Sequence, residues 1–176
     1  MPASLSARAT WDSPGANCPR KLDRDTALLE RLQVIRRLAS VAMGIARDDA
    51  AARGVAGVPI IGFVAPPMDA PTLSGEPIAA GQVDLTARFL SNGQPHRALP
   101  LTASLCTAVA ANITGTLVAE ALAAGAGAQV RIGMPSGILT VGADVGRDAG
   151  GEWVARSGAF YRTARRLFDG RIYVPQ

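Results

Sequence analysis

Leu28, Leu29, Leu32, Ile35, Leu38 and Ala42 recur at intervals of three and four residues, the spacing that gathers side chains on one face of a helix. With Asp23 or Asp25 as cap and Gly44 as stop, the pattern predicts an amphipathic helix over residues 23–43. Arg31, Arg36 and Arg37 fall mostly on its other face, where arginine stems cover apolar surface while their heads stay in water. From Val58 to Ala65 the chain is continuously apolar and ends at Pro66-Pro67, which predicts a buried strand. A loop rich in Pro and Gly follows to Gly81. Val83, Leu85, Ala87 and Phe89 then alternate with Asp84, Thr86 and Arg88, the period of a strand with one wet face. Ser91-Asn92-Gly93 ends it.

Residues 99–113 carry no charge, and Thr102, Ala103, Ser104, Ala108 and Ala110 keep this stretch slim. A helix without a polar face is normally surrounded by other elements. Beyond Gly115, short strand-like runs at Thr116–Ala119, Gln129–Ile132, Ile138–Val145, Trp153–Tyr161 and Arg171–Val174 are separated by glycine-rich turns. The expected fold is α+β: a curved, mostly antiparallel sheet wrapped around a central apolar helix, with an amphipathic helix outside. Residues 1–22 mix Pro, Ser, Gly and Asn without a period and are expected to form an irregular lead-in; residues 23–176 form one lobe.

Composition narrows this picture. A chain of 176 residues suits one domain, and 48% hydrophobic with 5% aromatic residues means a close-packed core of Ala, Val, Leu and Ile. No apolar run reaches the roughly 20 residues that span a bilayer, and the N-terminus shows no leader pattern, so a cytoplasmic location without membrane association is expected. Cys18 and Cys106 lie far apart and form no metal-ligand spacing; both are expected to be reduced, with no metal site. The net charge of +4 comes mostly from arginine, clustered at Arg162, Arg165 and Arg166. Without aromatic platforms or a DNA-binding motif, a solvated arginine surface accounts for it better than nucleic acid does.

Candidate chemistry is sparse. His96-Arg97 precede the uncharged helix, whose first N–H groups bear partial positive charge, an arrangement suited to a carboxylate; the alternative is a surface histidine and an Arg97 paired with Asp84 or Glu120. Gly133-Met134-Pro135-Ser136-Gly137 lets backbone N–H groups form an anion nest, although a tight turn needs the same residues. Cys106, inside the apolar helix, reads as core, since burial disfavours a thiolate. Cys18 follows Asn17 but has no supporting base nearby. Paired carboxylates, a Ser-His-Asp set and a nucleotide-binding glycine loop are all missing; Gly125-Ala126-Gly127 lacks a third glycine. No cofactor is expected.

Several stretches resemble the PrpF family, in the family's order. They are His96-Arg97-Ala98 leading through Pro100 and Thr102 to Cys106, Arg131-Ile132-Gly133 with Pro135-Ser136-Gly137, and Tyr161-Arg162-Thr163-Ala164-Arg165-Arg166-Leu167 ending in Gly170 and Tyr173-Val174. Ala27-Leu28-Leu29 and Val64-Ala65-Pro66-Pro67 are similar too. The resemblance runs from about Asp23 to the C-terminus and is to the family's carboxyl-terminal half. It implies a fold like that of diaminopimelate epimerase, in which two lobes each wrap a sheet around a helix and hold substrate between the helix N-termini. It also implies cofactor-independent isomerisation of 2-methylaconitate, or tautomerisation of 4-oxalomesaconate, by removing a proton and returning one elsewhere.

The family's acid–base lysine and cysteine belong to the N-terminal lobe, so the resemblance assigns no catalytic residue here. It gives His96, Arg97, Thr102, Ser136 and Gly137 the task of fixing substrate carboxylates. Met134 stands where the family usually has histidine, and Ala103 where a glycine commonly follows the threonine. The expected partners are a small tricarboxylate and an N-terminal lobe or a second copy of the chain. The alternative is a non-catalytic, truncated remnant or assembly lobe that binds carboxylates or a partner chain.

Overall fold

Asp25 begins the first helix by accepting the Leu28 N–H at 2.9 Å, the bond that satisfies a donor without an intrahelical partner. Helix α1 runs Thr26–Ala42 and stops where Gly44 takes φ +70°, a conformation glycine adopts without steric cost. In this computed structural model residues 22, 24–162, 165–171, 173 and 174 are described. The lead-in expected over residues 1–22, and Cys18 with it, lies outside the described residues except for Leu22, which is buried.

After the short helix α2 (Asp49–Gly54) come strands β1 (Ile61–Ala65), β2 (Ala70–Pro71), β3 (Pro77–Ile78), β4 (Leu85–Ser91) and β5 (Gln94–Pro95). Helices α3 (Leu101–Ala111) and α4 (Leu117–Ala121) follow, then strands β6 (Gln129–Met134), β7 (Gly137–Arg147) and β8 (Trp153–Phe160). The main sheet has the order β1-β4-β6-β7-β8, with β5 paired to β4, while β2 and β3 form a separate ribbon. Every pairing in the main sheet is antiparallel except β4 with β6. A parallel pair needs a crossover connection, and here the crossover carries α3 across one face of the curled sheet. The mixed, mostly antiparallel sheet around an apolar helix is therefore the architecture the sequence pattern predicted.

Cross-strand partners share a face, so the register separates the two sides of the sheet. Leu85, Ala87, Val130, Ile132, Leu139 and Val141 pack with Leu99 and Ala108 at α3. Ile61, Phe63 and Leu90 point the other way and pack with Leu22 and Leu32 under α1. A fully buried side chain such as Leu85 or Ile132 stabilises the fold by roughly 2 kcal/mol, so the inner cluster dominates.

Five expectations need correction. Asp84, Thr86 and Arg88 do not form a wet face: all three are buried, because β4 is flanked by β1 and β6 and its second face is covered as well. Arg36 is not on a solvated face; it is 4% exposed and reaches into the α2 region. Thr116–Ala119 is not a strand, since the Thr116 hydroxyl accepts the Ala119 N–H at 3.1 Å and caps α4. Arg171, Tyr173 and Val174 are exposed and pair with no strand. Finally, α3 is covered on one side only, leaving Leu101, Thr102 and Cys106 exposed, so Cys106 is not core. No described helix is long and apolar enough to cross a membrane.

Candidate functional site: a hairpin turn against an open helix end

The N-cap of α3 is Pro100, which offers no side-chain acceptor, and the first helical bond is from Ser104 N–H to the Pro100 carbonyl at 2.9 Å. The N–H groups of Leu101, Thr102 and Ala103 therefore have no partner among the described residues, and they point where the helix dipole is positive. Thr102 is exposed at this end.

Against it lies the β6–β7 hairpin. Met134 pairs with Gly137, leaving Pro135-Ser136 as the connecting residues. Gly137 takes φ +133°, which a residue with a Cβ rarely adopts, and Ser136 is exposed. Pro135 is fully buried, and its carbonyl accepts the Leu73 N–H at 2.8 Å, so the loop after β2 fastens the turn from behind. Met134 joins turn to helix: its Sδ accepts the Leu99 N–H at 3.4 Å. Ser136, Gly137 and Thr102, expected from the sequence to act together, are thus carried by elements in direct contact.

His96 and Arg97 occupy the loop between β5 and α3. The His96 N–H donates to the Phe89 carbonyl at 2.7 Å, tying that loop to β4, and both side chains are exposed. Arg97 does not pair with Asp84, which is taken by Arg131 through bonds of 3.1 Å and 2.7 Å. Arg97 forms no hydrogen bond or ion pair among the described residues, and no hydrogen bond links His96 or Arg97 to Ser136 there.

Two supports were not anticipated. The Arg88 Nη1 donates to the Gly133 carbonyl at 3.1 Å and the Ala87 carbonyl at 2.7 Å, holding the strand just before the turn. Asp84 accepts the Arg131 backbone N–H at 2.7 Å as well as its guanidinium. The hydrogen bonds from Arg131 hold the Asp84 carboxyl below its ordinary pKa and outweigh the opposing effect of burial. The available signal was the run of charged residues inside a strand, which a one-face reading assigns to solvent.

Free N–H groups, two hydroxyls and a cationic loop all donate, so the arrangement suits an anionic oxygen. Among the described residues no group of three or more His, Cys, Asp or Glu is placed to hold a metal ion. A shallow groove of about 420 Å³ lies elsewhere, between α1 and α2, lined by Leu29, Gln33, Arg37 and Arg53 among others; none of the expected site residues lines it.

A sequence profile described as PrpF protein matches residues 7–175. The chain belongs to the PrpF family. Its PrpF relatives include the 2-methyl-aconitate isomerase of Shewanella oneidensis, 38% identical over 164 residues that make up 92% of this chain and 41% of the relative. The 3-methylitaconate isomerase of Eubacterium barkeri is 34% identical over 163 residues, 91% of this chain and 42% of the relative. The fold resembles the crystal structure of methylitaconate-delta-isomerase with a TM-score of 0.71 and 31% identity, over 85% of this chain and 40% of that one. The chain thus spans about two-fifths of the length of these PrpF proteins.

Proposed function

We propose that this chain is the carboxyl-terminal lobe of a PrpF isomerase with a diaminopimelate epimerase-like architecture. In this reading it holds the carboxylates of a small unsaturated tricarboxylate, of the 2-methylaconitate or 4-oxalomesaconate kind. The observation that carries the reading is the joining of the Ser136–Gly137 turn to the open end of α3 through Met134 Sδ and the Leu99 N–H.

The chemistry follows from where charge develops. Removing a proton next to a carboxylate-bearing carbon leaves an allylic carbanion whose charge spreads onto that carboxylate. Donors fixed on the carboxylate oxygens stabilise this state more than the ground state, and that difference accelerates the reaction. Thr102, Ser136 and the first N–H groups of α3 supply the fixed donors, while His96 and Arg97 add donors and positive charge from the adjoining loop. Returning the proton at another allylic carbon completes the shift without a cofactor. The groups that carry the proton belong to a complementary N-terminal lobe.

Proton–deuterium exchange of 2-methylaconitate in D2O, followed by NMR, tests this. The chain alone is expected to give no exchange; together with the part of the Shewanella enzyme outside the match it restores exchange, which Arg97→Ala or Ser136→Ala weakens at least tenfold. Exchange by the chain alone overturns this placement of catalysis. No exchange from a verified complex overturns the reading as a whole.

A further inference from the structure

Helix α1 carries a second apolar stripe, on the side away from the core. Leu32, Arg36 and Ala39 face inward and are buried, whereas Ala27, Val34, Leu38 and Ala42 are exposed, Val34 by 44% and Leu38 by 56%. Ala27, Arg31, Val34, Leu38 and Val41 follow one another at alternating intervals of four and three residues, the spacing of a seam between two packed helices. Arg31 fits such a seam because its stem is apolar and only its head needs a polar partner. Beside the seam, Glu30, Gln33, Val34 and Arg37 line the groove between α1 and α2. Their positions, i, i+3, i+4 and i+7, outline the hole that receives a knob from a facing helix. Arg37 and Arg53 at the groove's edge both pair with Asp49 of the same chain, so an apolar side chain can enter without stranding a charge.

We propose that this seam is where two copies of the chain pair, α1 against α1, antiparallel about a twofold axis. Two features select a second copy as the occupant. The first is that knob and hole lie on one helix. Leu38 stands about one turn beyond the middle of the hole, so a twofold axis level with residue 36 sends each Leu38 into the hole of the other copy and sets it against that copy's Val34. The second is charge. The same axis sets Arg31 beside the last turn of the other copy's α1. That turn holds no basic residue of its own, and its free carbonyl end is partially negative, so Arg31 of the second copy supplies the cation that this helix end favours. One helix pair is a small interface, and the dimer is therefore expected to dissociate on dilution. The pairing does not depend on what the site at α3 binds.

Sedimentation velocity across a dilution series of the full chain tests it. The chain is expected to be dimeric when concentrated and monomeric when dilute. Leu38→Asp raises the dissociation constant at least tenfold and leaves the urea midpoint of the dilute chain unchanged, since the side chain it replaces is more than half exposed. Arg31→Glu, which sets a like charge against the partner's helix end, weakens the dimer at least threefold. A chain that stays monomeric up to its solubility limit overturns the proposal, and so does a dimer that both substitutions leave intact, because its contact then lies elsewhere on the lobe. The direction of pairing has its own measurement. With Cys18→Ser and Cys106→Ser in place, air oxidation of a mixture of Val34→Cys and Leu38→Cys chains is expected to form the mixed disulfide faster than either variant couples with itself; faster self-coupling overturns the antiparallel arrangement. With the complementary part of the Shewanella enzyme bound, the dimer persists as a two-plus-two assembly. If binding of that part dissolves the dimer, the seam belongs to the other part and the proposal fails.

Discussion

Met134 and Leu99 meet at the point where the hairpin touches the helix: the thioether sulfur accepts the Leu99 N–H at 3.4 Å, while the side chain packs against the inner core. One residue thereby fixes the spacing between the Ser136 turn and the first turn of α3. Met134→Leu keeps the packing and leaves the N–H without an acceptor, an expected loss of about 1 kcal/mol in urea unfolding. Tricarboxylate binding, followed by NMR, should weaken beyond that global loss, because the turn and the helix end no longer hold their spacing.

The Asp84–Arg131 pair predicts a dependence on pH. Because Asp84 is held below its ordinary pKa, it binds fewer protons in the folded chain than in the unfolded one. Its contribution is fully present above the unfolded value of about 3.9 and is lost as pH falls through the lower folded value. Asp84→Asn is expected to flatten the fall in stability below about pH 4, measured by urea unfolding across pH. A mutant curve parallel to that of the parent chain shows that other groups set the acid limit.

Arg36 is a buried guanidinium that stitches α1 to α2 and to the segment after it. It donates to the carbonyls of Val55 at 2.7 Å, Ala52 at 3.1 Å and Val58 at 3.3 Å. Arg36→Met strands these acceptors and should cost roughly 2–4 kcal/mol. Arg36→Lys recovers little of it, since a point charge cannot reproduce the planar fork. Full rescue by lysine would refute this account.

Gly62 faces a close approach in the β1–β4 ladder. A Cβ there would lie 2.5 Å from the Phe89 ring and 2.9 Å from the Arg88 carbonyl oxygen. The ring can turn, but the backbone of a central strand cannot give way as easily, so Gly62→Ala is expected to destabilise by about 1–3 kcal/mol in thermal or urea unfolding. Unchanged stability would mean that the ladder shifts at no cost.

Much of this protein was legible in its sequence because local periodicity and turn chemistry are local facts. The spacing of Leu28, Leu32 and Ile35 required α1, with Asp25 capping it and Gly44 ending it, and the uncharged stretch from Leu99 announced α3 as a helix that packs on the sheet. The motifs around His96, Pro135 and Tyr161 carried the family. Tertiary structure decided which polar residues are hidden. Nothing in the alternation of Asp84, Thr86 and Arg88 says that both faces of β4 are covered, since that depends on strands and a helix distant in sequence. Nothing in an apolar helix says that one side of α3 stays open at Thr102 and Cys106. The meeting of Met134 with Leu99, 35 residues apart, likewise exists only once the β4–α3–β6 crossover has closed, because only the folded chain brings the turn beneath the helix end.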